Sequence, residues 1–260
     1  MLTLSRQPRC ASLAFATSLS CFAFGCNQAD PMVADGSSSG GDAGDTTGVA
    51  DSSDGGEEST TAPADTEEPP AEADYFPLAD GATWTYQHTT QDQQVWDEVV
   101  VMREVEFNGM TAYEQEDNGN NGESSTSTLV RDGTATMRVH KQVNLGSAVL
   151  MDVEYDPGFL RFDNSWGEGD SVVWAYSRAE YDANGMLVDD TPRNQLYTVE
   201  SMSVEVTVPA GTFDCVQVLR ERVETGELKR FWFADGVGKI KHETVQTGAT
   251  EELSAYDIPG

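Results

Sequence analysis

The residues whose side chains could support catalysis or metal binding are few and lie far apart in this sequence. His88, His140 and His242 fall on separate predicted strands among polar neighbours, so we expect each of them to face water. The sequence contains none of the short motifs of serine hydrolases, zinc proteases, dithiol redox proteins or phosphate-binding loops. It therefore predicts no catalytic residue, no metal and no cofactor.

Acidic residues are abundant, but the two richest loops do not match a known site. In the segment 117–123, Gly119 stands where the third position of a calcium loop needs an oxygen ligand. The segment 163–170 places Trp166 among carboxylates, where it could stack on a sugar, contact a partner or close one end of the fold. Because 45 acidic residues create many accidental carboxylate pairs, a hydrolase with two catalytic carboxylates is an alternative function.

Cys26 has the clearest predicted chemistry, which is lipidation. Residues 1–25 have the layout of an export signal, in which Arg6 and Arg9 precede a modest apolar run over 11–24. That run is shorter and more polar than a membrane-spanning helix requires. Its end at a small residue and Cys26 resembles a bacterial lipoprotein signal, in which the cysteine is lipidated and becomes the new N-terminus.

The residue after Cys26 bears on location. Asn27 stands there instead of the aspartate that retains many lipoproteins at the inner membrane, so the resemblance implies a lipid anchor in the outer membrane. Lipidation at Cys21, or cleavage without a lipid to give a secreted or periplasmic protein, are alternatives. If Cys26 carries lipid, Cys215 has no disulfide partner, and its place on an apolar strand predicts a small buried hydrophobe.

The charge of the chain is strongly acidic. It has 45 acidic against 15 basic residues, a formal charge of −30, and loss of a signal containing Arg6 and Arg9 would make it −32. The negative electrostatic potential of such a chain repels nucleic acid and anionic lipid head groups, so we expect no nucleic-acid partner. Residues 26–74 lack lysine, arginine and aromatic residues and are predicted to be a disordered acidic linker, a spacer between a membrane and the folded domain.

From residue 75 to residue 260 the pattern is that of one β-rich domain. Residues 202–208 alternate apolar and polar side chains, as in a half-buried strand, and Pro209 ends that run. Val149 to Tyr155 alternate in the same way and are expected to stop at Asp156-Pro157-Gly158. Asn-Gly or Asp-Gly pairs, typical of tight hairpins, occur at 108–109, 132–133 and 184–185.

The predicted fold class is all-β with little helix. About twelve short strands joined by tight turns predict a strongly curved antiparallel sheet or a partial barrel. The cysteine-anchored signal and the acidic linker precede this domain.

Two motifs at the ends of the domain resemble those of a known group. The first is Tyr75-Phe76-Pro77-Leu78 with Gly81, Trp84 and Tyr86, and the second is Val208–Asp214 followed by Phe231–Ala234 and Gly236–Gly238. They are similar to the opening and closing motifs of uncharacterised bacterial envelope lipoproteins, whereas residues 90–200 carry no such motif. Related domains are thought to form an open β-barrel like the periplasmic lipoprotein carriers, which implies a concave apolar face and no catalytic residues.

The leading hypothesis is a non-enzymatic, lipid-anchored envelope protein whose curved sheet binds an apolar ligand or another envelope component. Two rivals are a secreted carbohydrate-acting hydrolase and a purely structural envelope domain. An apolar cavity would favour the binder, carboxylates about 5 to 9.5 Å apart in a cleft would favour the hydrolase, and a filled core would favour the structural domain. The residues predicted to form the core or an apolar pocket are Trp84, Tyr86, Trp174, Tyr176, Phe213, Phe231 and Trp232.

Overall fold

Twelve strands follow one another along the chain in a computed structural model, which describes residues 72–119 and 122–259. The predicted signal, Cys26 and nearly all of the predicted linker lie outside the described residues. The strands are β1 Thr83–Thr89, β2 Val95–Phe107, β3 Met110–Asn118, β4 Glu123–Asp132, β5 Ala135–Leu145, β6 Ala148–Asp163, β7 Ser171–Asp182, β8 Leu187–Val208, β9 Gly211–Arg222, β10 Glu227–Ala234, β11 Gly238–Thr244 and β12 Ala249–Asp257.

The sheet closes on itself. Each strand pairs antiparallel with its neighbours in the sequence, and β1 also pairs with β12, from Thr83 opposite Asp257 to Thr89 opposite Thr250. The prediction of an all-β, strongly curved antiparallel sheet is confirmed. The open barrel implied by the family resemblance is wrong, because the ladder between β1 and β12 pairs both strands that would have been free edges. In the part of the chain that the structure describes, no helix is long and apolar enough to cross a membrane.

Tight turns set the register of the hairpins where the sequence predicts them. Asn108 and Gly109 join β2 to β3 with φ values of 53° and 77°, the left-handed pair that a two-residue turn of type I′ requires. The pair at 132–133 joins β4 to β5, and the pair at 184–185 lies between β7 and β8. Because side chains alternate along a strand, these registers decide which residues point into the barrel.

The expected end of a strand at Pro157 is wrong, since β6 continues to Asp163. Its register against β5 shifts there: Arg138 pairs with Phe159, whereas His140 pairs with Glu154, so residues 155–158 form a bulge. A bulge accommodates a proline because no ladder hydrogen bond is needed from it.

Gly158 is the residue of this bulge that no other amino acid could replace without strain. Its φ is 141°, and an added Cβ would lie 3.0 Å from the Cβ of Met137. The bulge redirects the strand instead of ending it.

One end of the barrel is filled by an apolar core. Phe162, 1% exposed, lies with its ring centroid 5.6 Å from that of Tyr75, 5.1 Å from that of Trp166 and 4.7 Å from that of Phe233. Trp166 is 8% exposed and therefore closes this end of the fold. Phe76, from the segment before β1, packs against Phe233 with ring centroids 6.3 Å apart.

The segment that leads into β1 is attached to the same end by polar contacts. The Asp74 carboxylate accepts hydrogen bonds from Arg131 and from the side-chain amide of Asn164, both at 3.1 Å. Arg131 also donates to the backbone oxygen of Phe76 at 2.6 Å. These bonds hold the aromatic rings of the segment over the barrel end.

Replacing Phe162 with alanine should lower the free energy of unfolding by about 3–5 kcal/mol, because it leaves a cavity among three rings. Denaturant unfolding of the variant and the parent protein measures the loss. Val173→Ala is the control, since Val173 is 63% exposed and its truncation should cost less than about 0.5 kcal/mol. Equal losses for the two variants would contradict the assignment of the core.

Candidate functional site

The other end of the barrel encloses a cavity of about 660 Å³. Every strand except β4 contributes to its wall, for example through His88 at the end of β1 and Met151 near the start of β6. This volume lies within the range of pockets that enclose small organic molecules. The barrel thus has one solid end and one hollow end.

The wall of the cavity carries the opposite charge to the protein as a whole. Nine of the 15 lysine and arginine residues line it, against four of the 45 acidic residues, so its formal charge is +5 with the histidines neutral. The cations are Arg138, Lys141, Arg161, Arg178, Arg193, Arg220, Arg222, Lys229 and Lys239, and the carboxylates are Glu98, Asp117, Glu224 and Glu251. The fold therefore concentrates positive charge inside a strongly acidic chain.

Four of these cations have no carboxylate partner. Arg178, Arg193, Arg222, Lys229 and Lys239 each make an ion pair, as the distances to their acidic neighbours show. The remaining four make none with any described residue; they are Arg138, Lys141, Arg161 and Arg220. Charged groups removed from water normally have a partner, so this cluster calls for an explanation.

Aromatic faces support the unpaired arginines. Two of them lie over the ring of Phe159, whose centroid is 5.9 Å from the Cζ of Arg138 and 5.1 Å from that of Arg220. Arg220 also lies 4.7 Å from the ring centroid of Phe231. A cation over a ring face is stabilised without using its N–H donors. The guanidinium groups are thus held in place with donors to spare, and the Nε of Arg138 is buried with no hydrogen-bond partner.

The cluster is electrostatically strained. Burial, followed by repulsion from Arg138 and Arg220, lowers the pKa of Arg161 to about 9. Burial and then Arg138 lower the pKa of Lys141 to about 8, and burial also lowers the pKa of Arg220. At neutral pH the guanidinium groups and most of the Lys141 amine stay protonated, so like charges face one another in a poorly solvated space. An anion placed among them would relieve this repulsion.

Carboxylates and histidines occupy the opposite wall. Glu251, 5% exposed, contacts the ammonium of Lys239 and accepts a hydrogen bond from the Nδ1 of His242 at 2.7 Å. Burial alone would raise the pKa of Glu251, but Lys239 and His242 outweigh it and hold that pKa well below its usual range. Burial lowers the pKa of His242, so this imidazole is neutral at pH 7 and donates through Nδ1.

Two of the three histidines do not face bulk water as predicted. His88 and His242 line the cavity, each with a side chain 19% exposed, and His88 bonds Glu98 at 3.0 Å through Nε2. The ring of His88 stacks on Trp96 with centroids 4.9 Å apart. His140 lies partly exposed beside Asp152, at 2.8 Å. Their separate strands, which suggested isolation, meet when the barrel closes.

A cation could be held by one group of side chains on this wall. Single ligand atoms of His88, Glu98 and Glu251 lie within 4.8 Å of one another. The ammonium of Lys239 already contacts Glu251, however, and would repel a metal ion at this position. The absence of a metal stays a prediction.

The seven aromatic residues selected from the sequence separate into three groups. Tyr176 and Phe231 line the large cavity. Trp84 and Tyr86 are buried and border a pocket of about 30 Å³ next to Arg161. The other three pack in or against the core and line neither space: Trp174, Phe213 and Trp232. The predicted apolar interior is therefore mainly core, and the large cavity is lined by charged side chains.

Sequence reasoning missed the unpaired cations. A signal for them exists on β9, where Val216 and Val218 are buried and Arg220 and Arg222, on the same face of the strand, line the cavity. A face that changes from valine to arginine marks the border between the solid and the hollow half. Cys215, by contrast, is a buried free thiol as predicted, and burial raises its pKa to about 12.

Comparison with known proteins identifies no family. No protein-family model matches the sequence, and no curated protein matches it. Two crystal structures are similar: a protein thought to be exported, with a YmcC-like fold, from Bacteroides fragilis, and one thought to be a lipoprotein from Parabacteroides distasonis. Their TM-scores are 0.38 and 0.34; each is 15% identical and covers 71% of this chain and 99% of its own. Similarity at this level carries no functional information about the chain.

Replacing Lys141 with methionine should raise the free energy of unfolding at about pH 7 by about 1–3 kcal/mol, because an unpaired ammonium gives way to an apolar chain. The gain should shrink as the pH rises toward about 10. Folded Lys141 releases its proton near pH 8, whereas the unfolded chain holds it up to 10.5, so the parent protein gains stability in this window. Urea unfolding at both pH values measures the difference.

Lys241→Met is the matched control, because Lys241 pairs with Glu252 at 2.6 Å and its loss should not stabilise the protein. A gain at Lys141 that is independent of pH would refute the unpaired state of this amine.

Proposed function

We propose that this chain is a lipid-anchored bacterial envelope protein whose barrel binds a small anionic molecule without transforming it. The observation that carries the proposal is the cluster of four cations, Arg138, Lys141, Arg161 and Arg220, which line one cavity and make no ion pair with a carboxylate of the described residues. Unpaired charge that is partly withdrawn from water lowers stability, and a site that must receive an anion is a physical reason to keep it.

The cluster suits an anion with several acceptor oxygens. Guanidinium groups present planar sets of N–H donors that match carboxylate and phosphate oxygens. Phe159, Phe231 and Tyr176 form part of the same wall, and the parts of their rings that the arginines leave uncovered offer contact area to the organic part of a ligand. An uncharged apolar ligand would leave the four cations unpaired in a space now emptied of water, so we no longer favour the apolar ligand expected from the sequence.

The charge outside the cavity restricts the size of the ligand. The chain has a net charge of −30, and nine of its cations lie in one cavity. The residues outside the cavity are therefore strongly acidic. Long polyanions such as nucleic acids are repelled by this exterior, whereas a small anion inside the cavity lies beyond most of that field, since screening acts over about 8 Å. The cavity therefore selects for small anions that it can enclose.

The two rival functions find less support. A hydrolase of this kind needs two carboxylates that are both free to react, and in the pair Glu98 and Glu251 on the wall Glu251 is held by Lys239 and His242. A purely structural domain has no need for a cavity of about 660 Å³ lined by strained charges. Binding without catalysis is the function that the geometry favours.

Titration calorimetry of the full-length protein with inorganic phosphate and with phenyl phosphate tests the proposal. The parent protein should bind both, and phenyl phosphate more tightly because of the aromatic wall. Arg161→Gln should weaken binding of each by about tenfold or more, since a charge-assisted hydrogen bond contributes about 1.5–3 kcal/mol. The change should not unfold the protein, because it removes a partly buried charge that has no carboxylate partner among the described residues.

Arg103→Gln is the matched control, since Arg103 is exposed and pairs with Glu116 at 3.6 Å, outside the cavity. Its affinities should equal those of the parent. Lack of phosphate binding in the parent protein, or equal affinities for Arg161→Gln and Arg103→Gln, would refute the anion site.

The lipid anchor has its own test. Cys26→Ser should move the protein from the membrane fraction to the soluble fraction of the producing bacterium, because the serine cannot accept the lipid. Cys21→Ser is the control and should stay with membranes. Unchanged membrane association of Cys26→Ser would remove the lipidation claim without affecting the anion site.

A further inference from the structure

The charges of the cavity are separated around the barrel wall. Strands β5 to β10 form one continuous arc, and this basic arc carries eight of the nine cations. Strands β11, β12, β1, β2 and β3 form the opposite arc, and this acidic arc carries Glu98, Asp117 and Glu251 together with His88 and His242. The exceptions are Glu224, in the turn after β9, and Lys239 on β11.

Two carboxylates of the acidic arc lack a cationic partner. Glu251 is paired with Lys239, whereas among the described residues the Glu98 carboxylate bonds to His88, at 3.0 Å, and the Asp117 carboxylate accepts from the hydroxyl of Ser125, at 2.7 Å. Neither makes an ion pair with a lysine or arginine of the described chain. A carboxylate can accept about four hydrogen bonds, so both retain free acceptor capacity.

A third acceptor lies on the same arc. Gln115 is two residues before Asp117 on β3, so both side chains lie on one face of the strand, and both line the cavity. The Oε1 atom of Gln115 is buried and accepts no hydrogen bond from any described residue. Glu98, Asp117 and Gln115 thus provide acceptors on one arc of the wall, and a primary ammonium has three N–H donors.

We infer that the ligand of this cavity is a zwitterion. Its anionic group lies among the unpaired cations of the basic arc, and its protonated amine is received by Glu98, Asp117 and Gln115 on the acidic arc. The inference rests on the proposed anion site and adds the second charge of the ligand. The unpaired charges of each arc then meet a group of opposite charge on the ligand, whereas a simple anion or a simple cation would neutralise one arc alone. Phosphorylated amino alcohols and amino acids share this chemistry.

The test compares matched ligands that differ only in the amine. O-phosphoethanolamine and ethyl phosphate share the phosphate group, and β-alanine and propionate share the carboxylate. Titration calorimetry on the full-length protein, with a chelator present so that no divalent ion bridges the ligand, gives the affinities. In each pair the amine should tighten binding about tenfold, and the pair that binds more tightly identifies the anionic group.

Variants on the two arcs separate the contributions. Glu98→Gln and Asp117→Asn should each reduce the preference for the amine severalfold and leave ethyl phosphate binding unchanged or tighter, because a repelling carboxylate is gone. Arg161→Gln should weaken both members of a pair equally and preserve their ratio. Glu205→Gln, an exposed acidic residue on β8, is the control and should change nothing.

Two negative results are distinguishable. If ethyl phosphate and O-phosphoethanolamine bind equally well, or if the preference survives both Glu98→Gln and Asp117→Asn, the zwitterion is refuted and the anion site stands. If no probe binds at all, the proposed function itself fails.

Discussion

Closure of the sheet by the ladder between β1 and β12 is the constraint on which the cavity depends. In a flat sheet, inward-facing residues of distant strands stay apart, whereas a closed barrel turns them toward a common axis. Arg138 and Arg220 stand four strands apart, yet both guanidinium groups lie over the Phe159 ring. Likewise, Glu251 on β12 meets His88 and Glu98 only because β12 lies beside β1. The site is a property of the closed topology and of no local segment.

The two halves of the barrel contribute to stability in opposite ways. The half around Phe162 buries rings at one end and stabilises the fold, while the hollow half keeps like charges close together at a cost in free energy. Arg161 stands at the border, since it lines the large cavity and its guanidinium also lies 5.7 Å from the ring of Phe76. A solid apolar end therefore supports a strained polar end, an arrangement that suits proteins in which function opposes stability.

Local patterns predicted the strands and turns well because alternation and turn chemistry act within a few residues. The Asn108–Gly109 turn and the buried Cys215 follow from such patterns. The strand end predicted at Pro157 was wrong because a bulge tolerates the missing N–H donor of proline. The presence of a bulge depends on the register of the neighbouring strand, which the local sequence does not reveal. The charge cluster could not be predicted because it also depends on contacts between distant strands. Alternation indicates that Arg220 faces inward, but closure of the barrel decides which residues lie across from it.

The contact between Phe76 and Arg161 has a mechanical consequence. The segment before β1 is attached to the barrel at Asp74 and Phe76. Asp74 bonds to Arg131, and Phe76 accepts a hydrogen bond from Arg131 and packs into the aromatic core. Tension on the chain ahead of Asp74 would reach Phe76 next, and a displaced ring would withdraw its support from the Arg161 guanidinium at the cavity floor. By reciprocity, a molecule that neutralises Arg161 alters the force needed to detach this segment. Occupancy of the cavity and attachment of the segment around Asp74 are thereby coupled through a single side chain.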